Sequence, residues 1–327
     1  MRYVVFGAGA VGGVVAARLY QAGRRVVVIA RGAHYEAIRD RGLTLQEPDR
    51  QTVLEIEAAD APQRLQWGPD DVVLLAVKSQ DTDGALRALR ESAPASTAVV
   101  CLQNGVENER AALRLFEHVY GAVVMLPAAH LEPGVVRAHA TKLTGIVDLG
   151  RYPSGSDERA EQTSQALEAA RFSSDVFEDV MRLKYAKLIL NLANAVDATF
   201  ADDHDAERLA DAAREEGRAA LSAAGIEHEA GEVTDVGARW DRMGVRRDQR
   251  PGSSTWQSLR RGAGAVETDY LNGEIVLVGR LHGVPTPVNE ALCRVTARAA
   301  RERVAPRSLS AADLLSEIGM QEGAWTR

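Results

Sequence analysis

A glycine-rich turn directly after the first apolar run of the chain constrains the fold more than any other feature. The run YVVF (3–6) leads into a G-x-G-x-x-G pattern, and a predicted helix over 13–22 follows. The pattern consists of Gly7, Ala8, Gly9, Ala10, Val11 and Gly12. Between a strand and a helix, the first glycine permits a tight turn, the second lets the backbone approach a pyrophosphate, and the third allows close packing. The pattern therefore predicts a dinucleotide site at a helix N-terminus.

The same stretch shares features with a secretion signal, because Arg2 precedes an apolar run. Glycines interrupt that run and polar sequence follows it, which argues against a signal. No stretch of the sequence approaches the ~20 uninterrupted apolar residues of a membrane span. The two cysteines, Cys101 and Cys293, are too few for a disulfide framework or a four-cysteine zinc site. We expect a cytoplasmic protein with neither a metal nor a membrane partner.

The charge balance argues against nucleic acid as a partner. The 327 residues include 39 basic and 46 acidic side chains, which give a net charge of −7. A mildly acidic chain has no global field that attracts nucleic acid. With 46% hydrophobic residues the composition is that of a globular protein, and the length suits two domains.

Strand-like and helix-like segments alternate through the first half. Apolar runs at 25–30, 71–77 and 97–102 indicate buried strands, with a helix over 85–92 between the last two. Strands that are apolar on both faces suit a parallel sheet covered on both sides, so the alternation predicts a doubly wound α/β domain of the Rossmann type. Further strands, which we expect to end the sheet in antiparallel or mixed pairing, are predicted at 119–126, 134–140 and 143–150.

The second half has a different character. After a Pro/Gly/Ser loop at 152–158 the strand signal almost disappears, and the remaining sequence predicts mostly helices. We place the domain boundary near 170, with a dinucleotide-binding Rossmann domain over 1–170 and a helical substrate and catalytic domain over 171–327. A polar, glycine-containing stretch at 227–255 is predicted to be a loop over the site. The sequence from Arg307 onward predicts a helix and a frayed tail.

The residue at the end of the second predicted strand indicates the kind of dinucleotide. NAD-specific folds place an aspartate or glutamate there to hold the ribose 2′-hydroxyl. Arg31 occupies that place, and no carboxylate follows until Glu36. A guanidinium pairs with a 2′-phosphate through charge-assisted hydrogen bonds, whereas an acid would repel it. We therefore predict NADP(H); the alternative is that Arg31 is a solvated strand-end charge.

Two more strand ends carry polar residues. Lys78 follows the run at 71–77, and Asn104 follows the run at 97–102. Ligands of open α/β sheets bind outside the carboxyl ends of the strands, so both residues are candidates for ligand contact. The alternatives are a surface lysine at Lys78 and a turn pair at Asn104-Gly105.

A polar stripe interrupts an apolar stretch of the second half. KLILNLANAVDA (187–198) is apolar nearly all round, which predicts a buried helix. Lys187, Asn191 and Asn194 have the spacing i, i+4 and i+7, which places them on one face of such a helix. Burying an ammonium and two amides is costly unless partners satisfy them. The stripe is either satisfied by other protein groups or lines a polar cleft, where Lys187 is a candidate proton donor.

Two further groups lie between residues 251 and 273. Ser253 and Ser254 lie in a predicted Gly/Ser loop, a setting in which hydroxyls can contact a carboxylate ligand. Glu267 begins an otherwise apolar predicted helix. It is either a ligand contact or a first-turn acid that interacts favourably with the helix dipole.

These features, in this order, resemble the ketopantoate reductase family, the NADPH-dependent 2-dehydropantoate 2-reductases. The motifs that carry the resemblance are GAGAVG with Arg31, AVKSQDT followed by LQNG, KLILN, and SSTWQ…ETDYLNG followed by GVPTPVN at 283–289. The resemblance spans residues 7 to 289. It implies an N-terminal Rossmann domain, a helical C-terminal domain and a site between them. The implied activity is the NADPH-dependent reduction of 2-dehydropantoate to pantoate in pantothenate biosynthesis.

The resemblance also implies roles at matching positions. Lys187 would be the general acid that protonates the carbonyl oxygen, and Glu267 would hydrogen-bond the developing hydroxyl and orient the substrate. Asn191 and Ser254 would hold the hydroxyl and carboxylate ends of the substrate. These roles are expectations about the second half of the chain.

The cofactor half matches the family pattern more closely than the substrate half. Lys78 and Asn104 would lie beside the nicotinamide ribose and the reacting centre. A second helix asparagine, common in the family eight residues after the lysine, is replaced by Ala195, with Asn194 one position earlier. SSTW also replaces the frequent SSM. Asn194 is kept as a candidate substrate ligand, and the substrate is expected to be 2-dehydropantoate or another 2-oxo acid.

Two other functions stay open from the sequence. One is a different Rossmann dehydrogenase with a helical second domain that acts on another oxo or hydroxy acid; the pairing of Lys187 with Glu267, without a catalytic histidine, disfavours many of these. The other is a non-catalytic NADP-binding sensor, which would keep the glycines and Arg31 but lose the acid. The C-terminal helices provide surface for a homodimer, although composition shows no interface.

Overall fold

The computed structural model describes residues 1–245, 252–262 and 264–320 of the chain. Their strands are β1 (Arg2–Phe6), β2 (Arg25–Ile29), β3 (Leu43–Gln46), β4 (Gln51–Leu54), β5 (Glu57–Ala59), β6 (Asp71–Leu75), β7 (Ala98–Cys101), β8 (His118–Met125), β9 (Ala128–Glu132), β10 (Val135–Ala138), β11 (Gly145–Arg151) and β12 (Phe172–Ser173). The helices are α1 (Ala10–Gln21), α2 (Gly32–Arg41), α3 (Thr82–Arg90), α4 (Asn108–Leu113), α5 (Glu158–Ala169), α6 (Val180–Asn191), α7 (Asn194–Thr199), α8 (His204–Ala223), α9 (Gly231–Thr234), α10 (Val236–Met243), α11 (Ser254–Arg260), α12 (Asn272–His282), α13 (Pro287–Glu302) and α14 (Ala311–Glu317).

Packing divides the chain into two units. The first unit comprises Met1–Lys184 and Gly231–Pro251, and the second comprises Tyr185–Ala230 and Gly252–Arg327. Helix α6 begins in the first unit and ends in the second. The division at residue 170 stays a prediction about the domains of this protein.

The main sheet of the first unit is the doubly wound sheet that the sequence predicts. Its strand order in the described residues is β12-β11-β8-β7-β6-β1-β2-β5. β1 lies between β2 and β6 and is parallel to both, and Phe6 pairs with Ile29 and Leu75 at their carboxyl ends. β8 and β11 pair antiparallel, which confirms the expected mixed edge. The strand interiors are buried on both faces, which explains why they form continuous β-branched runs.

A small second sheet corrects one prediction. The segment 134–140 was expected to extend the main sheet, but its strand β10 pairs with β3 and β9 in a four-stranded sheet of order β4-β3-β10-β9. This sheet packs against α1. A Cβ at Gly13 would lie 2.5 Å from Cγ1 of Val136, so the glycine lets the helix and β10 approach closely. Because that contact is tertiary, periodicity alone could not assign the strand to its sheet.

The second unit is helical, as predicted, with one difference near the polar stripe. A single helix was expected over 187–198, whereas α6 ends at Asn191 and α7 begins at Asn194. At the interruption, the carbonyl oxygen of Leu192 accepts a hydrogen bond from Nδ2 of Asn272 at 3.1 Å. This partner is 80 residues away in the sequence. The ideal helical angle that placed Asn194 on the face of Lys187 therefore does not apply across the break.

The stretch 227–255 is not the continuous loop that was predicted. It contains α9 and α10, and its described residues 231–245 belong to the first unit. Met243 and Val245 pack in a buried cluster with Ala140 and Ile146, which explains why this segment folds onto the first unit. Residues 246–251 lie outside the described residues, so that part of the prediction is not addressed.

Candidate active site

The glycine turn lies where the sequence predicts it, between β1 and α1. Gly7 has φ +102°, and its N–H donates a hydrogen bond to the carbonyl oxygen of Ile29 at 3.0 Å. A Cβ at Gly7 would lie 2.8 Å from the carbonyl carbon of Ala76 and from the nitrogen of Val77. Backbone sterics and the close approach of the chain after β6 therefore both require glycine at this position.

Gly12 and Gly9 have contrasting surroundings. A Cβ at Gly12 would overlap the carbonyl oxygen of Gly7 and lie 2.8 Å from Cβ of Ala76, so this glycine is required for packing of α1 on the sheet. A Cβ at Gly9 would meet no atom of the described residues within 4 Å. Packing inside the protein therefore does not explain Gly9, whereas close approach of a ligand does.

The start of α1 provides the donors that such a ligand needs. Its N-cap is Gly9, which offers no side-chain cap, and no acidic residue lies in the first turn within the described chain. The first N–H groups of a helix lack intrahelical acceptors and carry a partial positive charge. With Ala8 buried and Ala10 and Val11 half-buried beside the open space at Gly9, the turn fits a dinucleotide pyrophosphate.

Arg31 lies at the carboxyl end of β2, immediately before α2. Its side chain is 74% exposed, and one guanidinium nitrogen lies 3.7 Å from Oδ1 of Asp81. The exposed position leaves the guanidinium accessible to a ligand. An exposed pair of this length contributes little stability, so a phosphate can replace the aspartate at low cost.

Lys78 and Asn104 lie at the carboxyl ends of β6 and β7, and both are half-buried. Hydrogen bonds connect the two strand-end loops. Nδ2 of Asn108 lies 3.1 Å from the carbonyl oxygen of Asn104 and 3.4 Å from Oγ of Ser79. The structure therefore brings these two predicted site residues to neighbouring loops at one edge of the sheet.

A buried ion pair behind the Asn104 loop was not anticipated from the sequence. Nζ of Lys184 lies 2.5 Å from Oε1 of Glu109 and 3.0 Å from the carbonyl oxygen of Gln103. Both side chains are at most 3% exposed. Burial raises the pKa of Glu109, while the Lys184 ammonium opposes that rise. The sequence contained no signal for it, because Glu109 lies between Asn108 and Arg110 and Lys184 follows Arg182 by two positions, so neither charge stands out.

In the second unit, Lys187 and Asn191 lie one turn apart on α6, and both are half-buried. Nδ2 of Asn191 is buried and donates to no acceptor among the described residues. An unsatisfied buried amide donor is costly, and a bound oxygen acceptor would remove that cost. This geometry is what a substrate-binding amide requires.

Ser254 and Asn194 are close together in the second unit, because α7 packs against α11. Ser253 is the N-cap of α11 and Ser254 its first residue, rather than loop residues as predicted. Oγ of Ser253 donates to the carbonyl oxygen of Asn194 at 3.4 Å. The N–H of Ser253 donates to Oδ2 of Asp197 at 3.0 Å. Sequence analysis missed Asp197, which lies one turn after Asn194.

Asp197 connects the serine segment to the chain after α13. Its Oδ1 lies 2.5 Å from a guanidinium nitrogen of Arg307, whose φ is +58°. The guanidinium of Arg307 also lies 5.9 Å from the ring centre of Trp256 on α11. These contacts connect Asp197 to Arg307 and to Ser253, the residue before Ser254.

Glu267 begins a 3-10 turn, Glu267–Tyr270, instead of the helix that was predicted, and it is half-buried. The turn packs against α12, whose first residue, Asn272, also contacts the end of α6 through Leu192. Nδ2 of Asn272 donates to Oδ1 of Asn289 at 2.9 Å. Asn272 and Asn289 come from the ETDYLNG and GVPTPVN motifs, so both motifs have a structural role in the second unit.

The described residues give little support for a metal site, a cysteine nucleophile or a membrane span. No group of three or more histidine, cysteine, aspartate or glutamate side chains there could hold a metal ion. Burial raises the pKa of Cys101 well above its ordinary value and that of Cys293 to about 12, so neither cysteine is a thiolate nucleophile at neutral pH. None of the described helices combines the length and apolar character of a bilayer span.

Comparison with known proteins gives a consistent result. The family model described as ketopantoate reductase PanE/ApbA matches residues 3–154, and the model of its C-terminal part matches residues 179–300. A 2-dehydropantoate 2-reductase of Mesorhizobium japonicum is 30% identical over 93% of this chain and 99% of its own length. Another, of Pyrococcus horikoshii, is 34% identical over 59% of this chain, and the match spans 62% of that relative.

Solved structures show the same architecture. A PanE/ApbA family ketopantoate reductase of Ralstonia eutropha superimposes with a TM-score of 0.78 at 29% identity, over 93% of this chain and 99% of that one. D-mandelate dehydrogenase with NADH and anilino(oxo)acetate superimposes with a TM-score of 0.80 at 21% identity, over the same shares of the two chains, a likeness of fold alone. The chain belongs to the ketopantoate reductase family and is an oxidoreductase.

Proposed function

We propose that this protein reduces a 2-oxo acid to a 2-hydroxy acid with NADPH, and that the substrate is 2-dehydropantoate, converted to pantoate for pantothenate biosynthesis. The observation that carries the substrate half of this proposal is the buried amide of Asn191. Its Nδ2 has no acceptor in the described residues and lies one turn from the candidate acid Lys187. A donor without an acceptor, beside an ammonium on one helix, suits an oxygen-rich anionic substrate.

The cofactor half rests on the glycine turn and Arg31. The open space at Gly9 and the uncapped start of α1 suit a pyrophosphate. Arg31, exposed at the end of β2, suits a 2′-phosphate, which favours NADP(H) over NAD(H). Arg31 sits where an NAD-specific site would hold a carboxylate, and this is the reason to prefer the phosphorylated cofactor.

The overall reaction balances as 2-oxo acid + NADPH + H⁺ → 2-hydroxy acid + NADP⁺. A bound dihydronicotinamide supplies the hydride that adds to the ketone carbon. Lys187 donates a proton from Nζ to the ketone oxygen as negative charge develops there, so a C–H bond and an O–H bond form while the C=O π bond breaks. Glu267 accepts a hydrogen bond from the new hydroxyl and orients it.

The other candidates bind and orient. Asn191 and Asn194 present amides to the hydroxyl end of the substrate, and Ser254 presents its hydroxyl to the carboxylate. Lys78 and Asn104, on neighbouring strand-end loops, contact the nicotinamide ribose and the reacting centre. Binding both ends of a small substrate restricts its rotation, which lowers the entropic part of the barrier.

The test is an NADPH-oxidation screen across 2-oxo acids, with 2-dehydropantoate included and each acid also assayed with NADH. We expect the highest kcat/KM with 2-dehydropantoate and NADPH. Turnover of another 2-oxo acid without turnover of 2-dehydropantoate would show that the proposed substrate is wrong but that the reaction class is right. A flat response to all of them, with normal NADPH binding, would favour a non-catalytic NADP-binding sensor.

A second candidate is reduction of a different 2-oxo acid by the same residues. The position of Asn194, one residue before the asparagine common in the family, favours a substrate-binding half that differs from the family pattern. The same screen decides between the two substrates.

A further inference from the structure

A group of buried polar side chains lies beneath the ends of β6 and β7, in the first unit. Each is less than 10% exposed, which is unusual for uncharged polar residues and more so for an ion pair. We call the group the bridging network. It consists of Ser79, Thr82, Gln103, Asn108, Glu109 and Lys184.

The uncharged part of the network connects the loop of Lys78 to the loop of Asn104. Oγ1 of Thr82 donates to Oδ1 of Asn108 at 2.7 Å and accepts from Nε2 of Gln103 at 3.1 Å. Nδ2 of Asn108 contacts the carbonyl oxygen of Asn104 at 3.1 Å. A chain of side-chain hydrogen bonds therefore spans from the segment after β6 to the segment after β7.

The charged part of the network contacts the backbone of the Asn104 loop. Nζ of Lys184 contacts Oε1 of Glu109 at 2.5 Å, the carbonyl oxygen of Gln103 at 3.0 Å and that of Ala122 at 3.3 Å. The three donors of the ammonium thus have three protein acceptors. One of them is the backbone of Gln103, the residue immediately before Asn104. The direction of the Asn104 backbone therefore depends on the position of this ammonium.

Stability does not explain the arrangement. The solvation free energy that a buried ion pair loses is about as large as the free energy that it gains from the attraction between its charges. Well-packed apolar residues of similar volume therefore often stabilise the fold equally or better. Oε2 of Glu109 and Oε1 of Gln103 are also buried without a donor among the described residues, so the network is not fully satisfied. Unlike apolar side chains, the charged groups form directional hydrogen bonds to backbone carbonyl groups, and these bonds fix the orientation of the backbone.

We infer that the bridging network positions the loops of Lys78 and Asn104 for catalysis, and that Glu109 and Lys184 are its positioning residues. This inference rests on the proposed function, in which those loops contact the cofactor and the reacting centre. A displacement of a catalytic site by about 1 Å can cost on the order of 100-fold in rate.

The test compares single and double variants of the full-length protein. Lys184→Met and Glu109→Gln each leave one buried partner unpaired, so we expect a lower Tm and a loss in kcat of roughly 10-fold to 100-fold. Lys184→Met/Glu109→Gln leaves no charge in the bridging network. We expect it to recover most of the Tm but not the kcat, because Gln103 still lacks its donor. In the two single variants and in the double variant, we expect faster amide hydrogen exchange over residues 102–108 than in the wild type.

Two more variants keep the test decisive. Thr82→Val preserves shape and charge but breaks the uncharged chain, so it should lower kcat with little change in Tm even if the ion-pair variants do not fold. Asp148→Asn is the matched control, because Asp148 forms another buried ion pair of the first unit, with Arg239 at 3.1 Å. It should lower Tm while kcat and KM at a permissive temperature stay at wild-type values.

The inference is overturned if the double variant regains both Tm and kcat, or if Thr82→Val has wild-type kcat and wild-type exchange over 102–108. A wild-type protein that turns over no 2-oxo acid would instead contradict the proposed function. In that case, unchanged exchange over 102–108 in the double variant would still contradict the positioning of the loop.

Discussion

Nε2 of His34, on α2, lies 2.7 Å from the carbonyl oxygen of Ala8 in the glycine turn. Its Nδ1 lies 2.8 Å from the backbone nitrogen of Gly134, which can only donate. Nδ1 therefore accepts, and Nε2 carries the proton that it donates to Ala8. The ring is held as one neutral tautomer between the dinucleotide turn and the small sheet. The ring of His130 lies 4.2 Å away, between ring centres.

This arrangement predicts a pH dependence. Burial lowers the pKa of His34, so folding favours its neutral form. The neutral ring therefore contributes stability that is fully present above its ordinary pKa of about 6.5 and is lost as the pH falls through the lowered folded-state pKa. We expect Tm and NADPH affinity of the wild type to fall together below about pH 6.5.

His34→Gln keeps a donor for the carbonyl oxygen of Ala8 but does not titrate. In this variant, Tm and NADPH affinity should therefore decrease less at low pH than in the wild type. Burial also lowers the pKa of His139, so part of the fall in Tm should persist in the variant. The measurement is Tm and NADPH fluorescence titration between pH 5 and 8. An unchanged pH dependence of NADPH binding in His34→Gln would exclude His34 as its source.

The glycine turn makes a prediction that separates packing from ligand binding. Gly9→Ala places its methyl in open space, so we expect a near wild-type Tm and weaker NADPH binding. Gly12→Ala forces a methyl against the carbonyl oxygen of Gly7, which should cost about 1–3 kcal/mol or more of stability. Thermal unfolding and NADPH titration of both variants are the measurement. Wild-type NADPH affinity in Gly9→Ala would make the turn a structural feature only.

Arg31 should decide between the two nicotinamide cofactors. Arg31→Ala removes the proposed partner of the 2′-phosphate, so the Kd for NADPH should rise by about 10-fold to 100-fold while the Kd for NADH stays the same. Asp81→Asn is the control, because it removes the exposed partner 3.7 Å from Arg31 and keeps the guanidinium. NADPH should bind this variant at least as tightly as it binds the wild type. Equal losses for NADPH and NADH in Arg31→Ala would rule out a 2′-phosphate contact.

Lys187 should act on turnover rather than on cofactor binding. Lys187→Ala removes the proposed proton donor, so kcat should fall by about 10² or more while the Kd for NADPH stays near its wild-type value. The measurement is steady-state kinetics with the best 2-oxo acid of the screen. A variant with unchanged kcat would remove Lys187 from the proposed mechanism.

Asp197 should affect the substrate and not the cofactor. Asp197→Ala releases the N–H of Ser253 and the guanidinium of Arg307, so Ser254 loses its fixed position. We expect the KM for the 2-oxo acid to rise by roughly 10-fold, with an unchanged Kd for NADPH. Asp211→Ala is the matched control, because Asp211 pairs with Arg214 on an exposed part of α8, at 2.8 Å. A similar KM change in both variants would count against a specific role for Asp197.

The sequence was sufficient for those features that depend on neighbouring residues. The apolar β-branched runs predict the buried parallel strands because side chains alternate between two covered faces. The glycine spacing predicts the turn because backbone sterics at Gly7 and packing at Gly12 act over a few residues. The helical character of the second half follows from periodicity in the same way. The position of Arg31 at the end of β2 could be predicted because the apolar run of that strand ends directly before it in the sequence.

Only the tertiary structure decided which distant groups meet. Glu109 and Lys184 are 75 residues apart, and Ala8 and His34 are 26 apart, yet each pair is in hydrogen-bond contact. The break after Asn191, the assignment of β10 to the small sheet and the return of residues 231–245 to the first unit likewise depend on contacts between remote segments. Local pattern carries no information about such contacts, because burial and hydrogen bonding across the fold depend on the assembled chain rather than on adjacent residues.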